Sequence, residues 1–127
     1  MIVDTSALID SLTGPKRSAK KMRGLIAAGE RLLLPSLVLY EWLRGPRTDA
    51  ELNAQDSLLP AAGALPFRRE EATVASRLHH DVPHPRGREV DLAIAAYAMV
   101  RNDSLWTLNP EHFQDILGLQ LVEPDTS

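Results

Sequence analysis

Three carboxylates stand where ordinary surface placement explains them poorly. Asp4 follows the apolar pair Ile2-Val3, Glu41 lies among Leu37, Val38, Tyr40 and Leu43, and Asp91 heads the almost wholly apolar run Leu92 to Val100. Taken singly, each has a structural explanation: Asp4 as a helix cap, Glu41 as the surface residue of a buried helix, Asp91 as a helix-start acid favoured by the macrodipole. Taken together, three acids each placed where a separate core element meets the expected crevice would repel one another unless a cation or a cationic side chain sat between them. Oxygen ligands suit Mg²⁺, with Mn²⁺ as a substitute, and such ions bind through a few carboxylates plus substrate phosphates. The implied chemistry is phosphate chemistry. One ion lowers the pKa of the attacking water, and a second, ~4 Å away, would stabilise the leaving oxygen.

Other chemistries fit less well. The chain has no cysteine, which removes thiolate zinc sites, cysteine nucleophiles and disulfides together. His79 and His80 are adjacent and point apart on a helix, His84 falls in a loop and His112 is remote in sequence, so zinc is disfavoured. A phosphatase working through an aspartyl phosphate needs a second acid two residues after its nucleophile, and Ser6 occupies that place after Asp4.

The elements that must hold these acids alternate between strand and helix. Met1 to Val3 reads as a strand that hands over to a helix at Asp4, with Thr5 and Ser6 as capping residues. Lys16 to Ala28 has helical spacing with a basic face, Arg31 to Leu34 reads as a strand stopped by Pro35, and Ser36 caps a helix running to about Arg44. Asp49 to Leu59 is weakly helical, Ala64 to Phe67 a brief edge strand, and Glu70 to His80 helical. Asp91 opens the apolar helix that follows the Pro-rich and Gly-rich loop 82–87. Ser104 to Leu108 reads as a strand, Glu111 to Ile116 as a short helix and Gln120 to Val122 as a last strand. This pattern predicts an α/β fold with a mostly parallel central sheet flanked by helices on both faces. Asp4 and Thr107-Leu108-Asn109 then lie at carboxyl ends of strands, where ligands of such sheets bind.

Length and charge set the outer bounds. With 127 residues, the chain reads as one domain over 1–123 and a short tail over 124–127. Fourteen Lys and Arg against 17 Asp and Glu give a net charge of -3, so nucleic acid would have to meet a local basic patch. Lys16, Arg17 and Lys20, continued by Lys21 and Arg23, form one such segment. Arg86 and Arg88, like Arg44 and Arg47, adjoin the acidic motifs. No membrane span or signal peptide is apparent, and a cytoplasmic location is expected. Trp42 and Trp106 read as core or dimer contacts in preference to base-stacking platforms, and Leu33, Leu37, Leu39 and Leu43 as core residues or a groove.

Four ordered segments carry a family resemblance: I-V-D-T-S-A-L-I-D at 2–10, S-L-V-L-Y-E-W-L-R-G at 36–45, G-R-E-V-D-L-A-I-A-A-Y-A at 87–98, and L-W-T-L-N-P-E-H-F at 105–113. Over nearly its whole length the chain resembles PIN domains, and more narrowly the VapC toxins of VapBC toxin-antitoxin pairs. The resemblance implies a PIN-like fold and a magnesium-dependent endoribonuclease that cuts tRNA or ribosomal RNA and arrests translation. It implies that Asp4 and Asp91 bind metal and that Glu41 binds a second ion or orients water. Asn109 fills the family's fourth acidic position with a neutral amide, which lowers the site's charge and leaves one or two ions open. Glu111 reads as a solvated helix-start residue that does not compensate. Ser6 and Thr107 are candidates to orient the carboxylates through their hydroxyls. Implied partners are a VapB antitoxin, placing a basic side chain among the acids, and a second copy in a homodimer or larger complex with the antitoxin. The competing expectation is a non-catalytic PIN scaffold that only binds a protein, with Asn109 marking lost catalysis.

Overall fold

The computed structural model describes residues 1–124; residues 125–127 of the expected tail lie outside the described residues. Six α-helices surround a small parallel sheet: β1 (Ile2–Val3), α1 (Thr5–Leu12), α2 (Ala19–Ala27), α3 (Ser36–Arg44), α4 (Asp49–Leu58), α5 (Arg69–Asp81), α6 (Glu89–Arg101), β2 (Ser104–Trp106) and β3 (Gln120–Leu121). The strands pair in the order β1-β2-β3, with Val3 opposite Trp106 and Leu105 opposite Leu121. Ile2 and Val3 are both 0% exposed. Successive strand residues face opposite sides, so both faces of the sheet are covered, as an all-parallel sheet requires.

Several expected elements shrink. The strand expected over 31–34 survives as a single bridge from Leu33 to Ile2, and the edge strand at 64–67 as one bridge from Leu65 to Pro35. Pro35 and Pro66 lack the N–H a longer ladder would need. The helix expected from Lys16 begins at Ala19, because Lys16 turns at a φ of 53° after Gly14-Pro15 and its N–H closes on the Thr13 carbonyl. The helix expected over 111–116 is only a 3-10 turn at Pro110–His112. Ser36 is the first helical residue after the cap Pro35 and makes no capping bond. Asp91 lies in the first turn of α6, which Glu89 opens.

The core is built around α6. Residues Leu92 to Ala98 are all buried, and burying each large member contributes roughly 1.5–3 kcal/mol. The helix ends at Asn102 in the left-handed region, φ 51°, a conformation asparagine tolerates better than most residues. Trp42 and Trp106 are also enclosed, so neither offers a ring to a base. Arg47 folds back over Trp42, its guanidinium 4.3 Å from the ring and its Nε donating to the Trp42 carbonyl at 2.9 Å. Gly45 makes room: a Cβ there would stand 2.8 Å from that guanidinium.

Candidate active site

Register builds the first part of the site. Because Val3 pairs with Trp106, Asp4 and Thr107 emerge together at the carboxyl ends of β1 and β2. The Asp4 amide donates to the Trp106 carbonyl at 2.9 Å. Asp4 is the N-cap residue of α1, yet its side chain caps no backbone N–H. Its Oδ2 accepts instead from Ser6 Oγ at 2.8 Å and Thr107 Oγ1 at 2.7 Å. Each hydroxyl in turn accepts a backbone amide, Leu108 N–H on Ser6 and Asn109 N–H on Thr107, both at 3.0 Å. A hydroxyl has one proton to give, and both give it to Asp4. The carboxylate is held on one side, and no described residue bonds its Oδ1. Asp4 as a whole is 5% exposed, but Oδ1 is not among the side-chain atoms sealed away without a partner, so it is open to water or a cation.

Glu41 arrives from the middle of α3. Its Oε1 accepts from Thr5 Oγ1 at 2.5 Å, and its Oε2 faces Arg44 at 3.5 Å. Asp91 arrives from the first turn of α6, half-buried, with His112 Nδ1 3.6 Å from its Oδ2. Burial pushes the Asp91 carboxyl above its ordinary value, and the negative charges of Asp4 and Glu41 push it further; His112 and Arg88 pull the other way. The three acids singled out in the sequence therefore share one electrostatic neighbourhood. Asn109 follows directly, as the residue before the Pro110 turn, and its side chain makes no cap bond.

Sequence reasoning missed Thr5 and His112. The first was visible as the middle residue of D-T-S; the second was set aside because distance along the chain was taken for distance in space. The basic residues fare unevenly. Lys16 and Lys20 are exposed, as is Arg86. Arg17 pairs with Asp10 at 3.6 Å. Arg88, expected to contact RNA, instead grips Asp115 through two nitrogens at 2.8 and 2.7 Å and the His112 carbonyl at 2.9 Å. That clamp ties the His112 turn to the start of α6. Of the four leucines read as core residues or the lining of a groove or dimer face, Leu33, Leu37 and Leu39 pack against the core, whereas Leu43 is 51% exposed. An apolar groove of about 270 Å³ opens elsewhere, between α1, α2 and α4, lined by Leu12, Met22, Ile26, Ala54 and Leu58, with Lys16 and Arg23 also on its walls.

The donors fit a hard cation: carboxylate oxygens, one of them open, no thiolate, and negative charge in excess. Among the described residues no three His, Asp or Glu side chains are gathered into a ready-made metal cage.

The family model for the PIN domain matches residues 1–116, and the chain belongs to that family. It is 31% identical over 121 residues to Ribonuclease VapC19 of Mycobacterium tuberculosis, covering 94% of this chain and 96% of that protein. In three dimensions it resembles the crystal structure of VapBC2 from Rickettsia felis bound to a DNA fragment from their promoter (TM-score 0.75, 20% identity, 98% of both chains). It also resembles DNA-bound VapBC from Salmonella typhimurium (TM-score 0.77, 18% identity, 95% of both chains). The α/β PIN-like fold expected from the sequence is the fold observed. No described helix is long and apolar enough to cross a membrane.

Proposed function

We propose that this chain is the toxin of a toxin-antitoxin pair, a metal-dependent endoribonuclease that hydrolyses phosphodiester bonds of a tRNA or ribosomal RNA and so arrests translation. One observation carries the reading: Asp4, Glu41 and Asp91 come from three separate elements yet share one electrostatic neighbourhood, in which burial first and then the charges of Asp4 and Glu41 raise the Asp91 carboxyl. Descent from the same family as Ribonuclease VapC19 supports it.

Asp4 and Asp91 are the direct holders of Mg²⁺ or Mn²⁺, and Glu41 receives a second ion or orients water. When bound, the ion neutralises phosphate charge and makes water acidic enough to attack near neutral pH. Ser6 and Thr107 hold the Asp4 carboxylate through Oδ2, and Thr5 holds Glu41 through Oε1 while Arg44 faces Oε2. Asn109 is the fourth member of the set and a neutral one, which favours one firmly held ion over two. The partner is an antitoxin of the VapB kind, with an apolar segment in the α1–α2–α4 groove and a basic side chain offered to the acids. Exposed Lys16, Lys20 and Arg86 belong to the RNA-facing surface.

The test is cleavage of total RNA with Mg²⁺ by wild type, Asp4→Asn and Asp91→Asn. Cleavage by wild type alone, abolished by EDTA, supports the assignment, whereas equal cleavage by all three sinks it. Asn109 favours one second reading, a scaffold that only binds protein. Calorimetry showing no Mn²⁺ uptake, with or without RNA, would move the assignment there.

A further inference from the structure

The chain has eleven arginines, and most of those with described partners are engaged within it. Arg47 is spent on Trp42, Arg88 on Asp115, Arg68 and Arg101 on Glu71, and Arg17 on Asp10, while Arg86 has no described contact with the acidic cluster. Arg44 differs. It lies one turn beyond Glu41 on the same face of α3, and its side chain is 58% exposed. Its only hydrogen bond among the described residues is a long one, from one terminal nitrogen to Glu41 Oε2 at 3.5 Å. A guanidinium has five N–H donors in a rigid fork shaped for carboxylate or phosphate. Most of the fork is therefore unspent, beside Glu41, whose charge also acts on Asp91.

We infer that Arg44 contacts the RNA directly, its fork gripping a phosphate of the strand that crosses the acidic cluster. This rests on the ribonuclease reading above. A phosphate near the acids keeps negative oxygens that the carboxylates repel; Arg88 is held by Asp115, whereas Arg44, beside Glu41, has donors left to receive them. Its position is also braced: the guanidinium carbon lies 5.3 Å from the centroid of Tyr40, one turn back along α3. That ring is 57% exposed and offers the neighbouring nucleotide a stacking face of the kind used for single-stranded RNA. A purely structural ion pair would have closer geometry and less exposure, as the Glu71 pairs do.

The experiment compares wild type, Arg44→Ala, Arg44→Lys and Asp4→Asn. Three readouts are taken: cleavage of total RNA with Mg²⁺, binding of fluorescent oligouridylate in EDTA across a salt series, and Mn²⁺ affinity by calorimetry. Arg44→Ala is expected to lower cleavage at least ~10-fold and to weaken oligouridylate binding several-fold. The slope of log affinity against log salt should become shallower by about 0.7, one phosphate contact on a single strand. Mn²⁺ affinity should stay within about twofold. Arg44→Lys should restore the salt slope but only part of the cleavage, since charge returns without the fork. If Arg44→Ala cleaves and binds as wild type does while Asp4→Asn is inactive, the inference falls and the ribonuclease reading stands. A gain in both Mn²⁺ affinity and cleavage on Arg44→Ala also overturns it, since Arg44 would then be a counter-ion to Glu41. If Asp4→Asn cleaves as wild type does, the ribonuclease reading itself falls.

Discussion

Two acidic centres in this molecule are treated in opposite ways. Glu71, on α5, is 0% exposed. It accepts from Arg68 Nη2 and Arg101 Nη1, both at 2.9 Å, and from the Arg68 backbone N–H at 3.1 Å. Burial by itself would raise its carboxyl. The hydrogen bonds from Arg68, the backbone and Arg101 outweigh that and bring it down to about 2. At the Asp4–Glu41–Asp91 centre the chain supplies three acids and, among the described residues, a half-exposed histidine and two arginines, one of them held by Asp115. There the carboxyl of Asp91 goes up. Where a buried charge is neutralised by the chain's own groups, the role is structural. Where the chain leaves it unneutralised, the missing charge has to come from solution.

Neutralising one acid at each centre breaks the contrast most directly. Asp4→Asn is expected to cut RNA cleavage by more than ~100-fold, while the melting temperature without Mg²⁺ is unchanged or raised, since one repelling charge is gone. Glu71→Gln should do the reverse. Removing one partner from a buried charge cluster costs roughly 3 kcal/mol or more, read by urea denaturation, with cleavage per folded molecule unchanged.

The same contrast has a pH signature. A carboxyl held at about 2 when folded and near 4.5 when free stabilises the fold fully above its free value, and that contribution is lost as pH falls from about 4.5 toward 2. Melting temperature scanned over that range should fall for wild type and fall less for Glu71→Gln.

Smaller changes sharpen the comparison from the metal side. Thr107→Val removes one of the two hydroxyls on Asp4 and the acceptor for the Asn109 amide, and cleavage should drop about 10-fold. Asn109→Asp restores a fourth charge, and Mn²⁺ should bind a few-fold more tightly by calorimetry, with the smallest effect on the fold.

Much of this site was legible before any coordinates. Asp4, Glu41 and Asp91 announced themselves because each interrupts a pattern of apolar residues, and burial of an acid has to be explained locally. Ser6 and Thr107 were legible as hydroxyls next to an acid and at a strand end. Glu71 was not, because it sits in a stretch of ordinary polar composition, and one of its two arginines comes from 30 residues away. Arg88 misled for the same reason: a basic residue beside a motif looks available until Asp115, 27 residues on, is seen to hold it. The short strands misled in another way. Apolar runs at 31–34 and 64–67 have strand composition, but the prolines leave too few donors for more than single bridges.

The sequence alone therefore determined the alternation of strand and helix, the apolar interior of α6 and the junctions at which the acids stand, because periodicity, capping and turn preferences act over a few residues. Only the tertiary structure decided which carboxylate is neutralised and which is left open. The pairing of Val3 with Trp106 sets Thr107 against Asp4, the packing of α5 on α6 brings Arg101 to Glu71, and the turn after Asn109 lays His112 beside Asp91. Hydrogen bonds and ion pairs act over about 3 Å and depend on direction. Their partners are chosen by how the whole chain packs, and spacing along it does not reveal them.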